Sequence, residues 1–157
     1  MSSVALSGSV VAGSRTDRPS KGAGINKGRY ARIALATTVL ATLANVVVYF
    51  LADLFVHYHP DFVILQNVSA VVMFTVIPGV VGSLLYAGLL RFTANPVRIF
   101  NVISGFVFVV TTVPDFTYIP GVEGASSAQA AVLVLMHVVA AGIITGMLTT
   151  LARPAKS

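Results

Sequence analysis

A chain of 157 residues that is 56% hydrophobic and only 10% charged lies far from the roughly 25% charged residues of an average soluble domain, and lipid is the solvent that suits it. Cysteine is absent, which excludes disulfides, thiolate metal sites and dithiol redox chemistry. The formal net charge of +5 sits at the ends of apolar runs, where it serves topology, and no nucleic-acid partner is expected.

Residues 1–30 are rich in Ser and Gly and carry Arg15, Arg18, Lys21, Lys27 and Arg29 against one acid, Asp17. A segment with so little apolar surface cannot offset its ordering entropy, so a disordered basic tail is expected. VALSGSVVAG is too weakly apolar for a secretory signal, and Pro19 with its neighbouring glycines works against the amphipathic helix of a transit peptide. One transmembrane domain is expected over residues 31–152, followed by a short basic tail, 153–157.

The first span is IALATTVLATLANVVVYFLADLF, Ile33 to Phe55, since roughly 20 residues at about 1.5 Å each cross a hydrocarbon core of about 30 Å. Its polar residues Asn45, Tyr49 and Asp53 recur every fourth position, which stacks them into one helical stripe that should face other helices rather than lipid. Pro60 interrupts the chain before a second span over about 68–90. There Pro78 removes a backbone hydrogen bond near mid-membrane, and Gly79, Gly82 and Ser83 allow a neighbouring helix to approach closely. Asn95 and Pro96 read as N-cap and first residue of a third span over about 96–113. That run is short, roughly 27 Å as a helix, and a re-entrant hairpin is the alternative. The prolines and glycines of residues 114–127 read as a loop, before a fourth span over about 128–151 in which His137 is the only ionisable residue.

Charge tests the topology, because basic residues close to membrane spans concentrate on the cytoplasmic side. Arg29 and Arg32, Arg91 and Arg98, and Arg153 and Lys156 mark the N-terminal tail, the middle turn and the C-terminal tail; the two remaining loops hold neither Lys nor Arg. Four spans in an up-down bundle of an all-α membrane protein, with both termini cytoplasmic in the plasma membrane, satisfy every segment. In that arrangement Asn45, Pro78, Ser104 and His137 all fall about ten residues from the outer ends of their spans, and form one polar layer with Asn45 as the expected partner of His137. The layer has two readings. It pins helix register, interhelical hydrogen bonds being worth about 0.6 kcal/mol each, or it is a site for a proton, ion or small ligand.

His57, His59 and Asp61 in the loop after the first span form the one weak metal motif, lacking a fourth ligand. Interfacial capping of the span is the plainer account. No nucleophile elbow, zinc-protease helix or phosphate-cradling loop is present; Asp53, Asp115 and His137 could assemble an acid-base site only through the fold. No cofactor and no enzymatic activity are expected. The segments ATLANVVVYFLAD, NPVRIFNVISGFVFVVTTVPDF and VLMHVVAAGIITGML, with the landmarks Asn45, Arg98, Pro114 and His137, resemble a family of small four-span bacterial integral membrane proteins catalogued as a domain of unknown function. The resemblance covers about Arg32 to Leu151. It implies the fold, a membrane location and a bacterial source, and no activity. The expected role is that of a structural or partner-binding membrane module in contact with lipid and with a second copy or another membrane protein, and the alternative is a small transporter or channel subunit.

Overall fold

A computed structural model describes residues 26–58 and 61–152. Backbone groups in hydrocarbon have no water to bond, so long apolar segments close their hydrogen bonds internally as helices. The order is α1 (Lys27–Val56), α2 (Val63–Gln66), α3 (Val68–Phe92), α4 (Pro96–Thr117), a single 3-10 turn (Ile119–Gly121) and α5 (Ser127–Leu151). Four of these are long and apolar enough to cross a membrane, and the described residues contain no strand.

The 30 residues of α1 rise about 45 Å, well beyond the hydrocarbon thickness. Lys27, Arg29 and Arg32 occupy its first turns and are exposed. Asn26 caps this end by accepting from the Arg29 amide at 3.1 Å, and Nη2 of Arg29 donates to the Leu151 carbonyl at 3.2 Å. A cation thus satisfies the carbonyl end of α5, where the helix dipole favours positive charge. Tyr30 donates its hydroxyl to the carbonyl of Ser83, tying the start of α1 to α3.

The third span differs from the expectation of a helix ending at residue 113. It continues through Pro114 to Thr117, about 33 Å as a helix. Proline lacks only its own N–H, while its carbonyl still accepts from the Tyr118 amide at 2.9 Å. The Thr112 hydroxyl bonds the Phe108 carbonyl at 2.7 Å and that of Thr117 bonds Val113 at 3.0 Å, so side chains add bonds to the ladder around the interruption. Asp115 therefore belongs to α4 and not to a loop. α5 begins with a reciprocal capping box: Ser126 accepts from the Gln129 amide and the Gln129 side chain accepts from the Ser126 amide, at 3.2 and 2.8 Å.

The helices run up and down in chain order. α1 packs closely on α3 and α5, α4 packs on α5, and α3 meets α4 only sparsely. Two apolar clusters fill the interior. One gathers Tyr49, Phe62, Leu65, Val71, Leu133 and Met136 near the α2 end; the other gathers Ala41, Tyr86, Phe100, Ile144 and Leu148 towards the basic end. The outer faces carry exposed apolar residues such as Leu35, Leu43, Phe50, Phe74 and Phe106, a surface made for lipid.

Past α1, Tyr58 seals the end of the bundle. Its hydroxyl donates to the Tyr49 carbonyl at 2.8 Å, its amide donates to Asp53 Oδ1 at 3.3 Å, and its ring lies 4.9 Å from that of Tyr49. Burial, then the nearby Asp53 and Tyr49, push its pKa up to about 12. A phenol whose pKa is raised on folding from about 10 lends stability that is whole below about pH 10 and lost as pH rises through its folded value. Spectrophotometric titration at 295 nm should show Tyr58→Phe losing one tyrosine equivalent from the high-pH end of the ionisation curve.

Candidate binding cleft

Where α3 and α4 diverge, a cavity of about 610 Å³ opens between them, backed by α5. Residues spaced three and four apart put one face of each helix on it. α3 contributes Thr75, Pro78, Gly82 and Leu85; α4 contributes Phe100, Ser104, Thr111 and Asp115; α5 contributes Met136, His137 and Ala141. α1 contributes Asn45 alone. The walls are mainly apolar and include no Lys or Arg.

Besides Ser104, Thr111, Tyr118 and Thr145, two polar clusters interrupt these walls. Nδ2 of Asn45 donates to Oγ1 of Thr75 at 3.0 Å, and the Thr75 hydroxyl donates to the Val71 carbonyl at 2.8 Å. Asn45 is 3% exposed, and its Oδ1 is buried without accepting a hydrogen bond. On the other side, His137 Nδ1 lies 2.9 Å from the Leu133 carbonyl and 3.3 Å from Oδ2 of Asp115. A carbonyl can only accept, so Nδ1 carries the proton in that bond. Asp115 is 5% exposed, and its Oδ2 accepts no hydrogen bond.

The partner of His137 is thus Leu133 together with Asp115, and not Asn45, which is bonded to Thr75. The reason is the longer α4, which brings Asp115 to the level of a histidine ten residues into α5, about 15 Å along that helix. The spacing of Ser104, Thr111 and Asp115, seven and then four residues apart, carried this signal, since it places all three on one helical face.

The other expected site residues divide between cleft, packing and surface. Ser104, Pro78 and Gly82 line the cavity. Gly79 and Ser83 are buried, and Gly79 lies against Thr38 of α1. Tyr49 is buried and donates to the Leu65 carbonyl at 3.1 Å; Asp53 is exposed, so the stripe of α1 turns outward at its third member. Arg91 and Arg98 are exposed, and the Arg91 guanidinium lies 5.6 Å from the centre of the Phe92 ring. Of the weak metal motif, His57 caps α1 with φ 46° and Asp61 is exposed, while His59 lies outside the described residues. Arg153 and Lys156 also lie outside them. Among the described residues no group of three His, Asp or Glu side chains converges.

The Asn45–Thr75 bond joins α1 to α3 inside the bundle. Asn45→Leu and Thr75→Val should each lower stability by about 1 kcal/mol, and the double variant by little more, because both remove one shared bond. Unfolding in mixed micelles across that cycle measures the coupling.

Four apolar helices around an internal cleft define an all-helical, multi-pass membrane protein. A family model matches residues 25–154, and the chain belongs to that family of unknown function, DUF6069. No curated protein and no solved structure was found to match the chain.

Proposed function

We propose that this protein is a non-catalytic binding module of the membrane whose working part is the cleft between α3 and α4. The cavity carries this reading. Its volume of about 610 Å³ falls in the range of about 300–1,000 Å³ typical of small-molecule sites, and apolar walls with a few fixed polar groups are the usual construction of such sites.

The reading includes the plasma membrane of a bacterium, with both termini on the cytoplasmic side. Lys27, Arg29, Arg32, Arg91 and Arg98 gather at one end of the bundle and Asp53, Asp61 and Glu123 at the other, the distribution of the positive-inside rule. The chain has no cysteine, so single introduced cysteines report cleanly. Glu123→Cys should react with an impermeant maleimide on intact cells, and Ser157→Cys only after lysis; the reverse pattern contradicts the orientation.

The cleft is tested by filling it. Ala141 lines the cavity from α5, and Ala141→Phe adds a ring where space exists. Native mass spectrometry should find a discrete small-molecule adduct on the wild-type protein and none on this variant. Identical adducts on both would contradict the reading. A second reading, a transporter subunit, draws support from the Asp115–His137 pair in the cleft. It requires that His137→Ala alter pH-dependent flux in proteoliposomes, and absence of flux for every tested ion and solute counts against it.

A further inference from the structure

We propose that the guest of this cleft is an amphiphile with a protonated amine head, held by the Asp115 carboxylate, and an apolar body laid between α3 and α4; this rests on the cleft being a binding site. Both buried side-chain polar atoms of the cavity wall that take part in no hydrogen bond, Asn45 Oδ1 and Asp115 Oδ2, are acceptors. A buried acceptor left unpaired costs about 1–3 kcal/mol, more if charged, so the site has a standing deficit of donors. The protein does not correct it from within. No Lys or Arg lines the cavity, and the His137 Nδ1 that lies 3.3 Å from Asp115 is engaged with Leu133 at 2.9 Å.

An ammonium group has three donors and no acceptor, and brings Asp115 the missing charge together with the missing bond. A carboxylate or phosphate head would set acceptor against acceptor. A neutral alcohol would supply one donor but no charge. Tyr118, one turn beyond Asp115 on the same wall of the cleft and exposed, adds an aromatic face of the kind that attracts cations. From Asp115 the cleft follows α4 back to Phe100, fifteen residues or about 22 Å along the helix. That is a long apolar channel for a body attached to the head.

The experiment uses the full chain in phosphatidylcholine nanodiscs, with tritiated dodecylamine as probe, scintillation proximity as readout and empty nanodiscs as background. Dodecylamine should bind saturably, dodecanol should compete at least tenfold more weakly, and dodecanoate should not compete. Asp115→Asn should weaken dodecylamine at least tenfold while leaving dodecanol unchanged; Asp115→Glu, which keeps the charge, should retain the amine preference and guards against a folding defect in the first variant. Ala141→Phe should abolish saturable binding of both compounds. If Ala141→Phe does so but Asp115→Asn leaves dodecylamine unchanged, or if dodecanol or dodecanoate binds as well as the amine, the amine head is refuted and the cleft stands. If Ala141→Phe changes neither, the cleft itself is refuted. A wild-type dimer that Ala141→Phe dissociates would assign the cleft to a second copy and overturn the proposal, as would the absence of saturable dodecylamine binding.

Discussion

Gly79→Leu is expected to separate α1 from α3 and to lower stability by about 3 kcal/mol, the upper part of the range for overpacking. A Cβ at position 79 would sit 3.0 Å from both Cγ2 and Oγ1 of Thr38, tighter than nine in ten real Cβ contacts, so Thr38 would have to give by a few tenths of an ångström. Thr38 cannot simply swing away, because it is buried and its hydroxyl donates to the Ala34 carbonyl at 3.0 Å. In lipid, helices gain little from hiding apolar surface and associate through close packing, so an interface built on a glycine is sensitive to any added atom. The damage should be graded. Gly79→Ala should cost about 1 kcal/mol, and Thr38→Ala should recover most of that loss by removing the facing atoms, whereas the leucine should remain too large to rescue. Unfolding of the four variants in mixed micelles measures this, and a tolerated leucine would mean that α1 and α3 pack differently from the arrangement described.

The four spans were legible because hydrophobic length is the strongest signal a membrane protein carries, and lipid leaves the backbone few alternatives to helix. The four-residue period of α1 also showed its inward face. Asn45 and Tyr49 are buried, and Asp53 departs from them because it lies within the last turn of α1 and bonds the Tyr58 amide beyond it. Side-chain partners across helices were less legible. Counting depth from span ends pairs His137 with Asn45, which is instead bonded to Thr75, and Asp115 is overlooked because Pro114 is read as a breaker. In a membrane helix proline removes one bond and the helix continues, so Asp115 moves from an expected loop to a wall of the cleft. The start of α5 was written locally, in the Ser126 to Gln129 spacing of a capping box. The cleft itself was not. It arises from the divergence of α3 from α4, a tertiary feature that no spacing within one helix encodes, although the small and polar residues on its walls, Gly82, Ser104 and Ala141, lie on faces that periodicity can identify.

The second large effect is expected at Phe100, which joins the packing of the bundle to the shape of the cleft. Its ring is 1% exposed, lies 4.9 Å from the ring of Tyr86, and also forms part of the cavity wall. In a water-soluble core Phe→Ala costs about 3–5 kcal/mol, part of it the transfer of the ring from water. Here the unfolded helices remain in lipid and that part is small. What remains is lost packing: at about 24 cal/mol per Å³ over roughly 100 Å³ of removed side chain, Phe100→Ala should cost about 2 kcal/mol. Phe100→Leu, which keeps most of the volume, should cost about 1 kcal/mol. The same truncation lengthens the cleft at its end away from Asp115, so a longer amine such as hexadecylamine should gain affinity relative to dodecylamine in Phe100→Ala, while Asp115→Asn should weaken both alike. Equal affinities for the two chain lengths in Phe100→Ala and in the wild-type protein would show that the apolar body does not reach the Phe100 end.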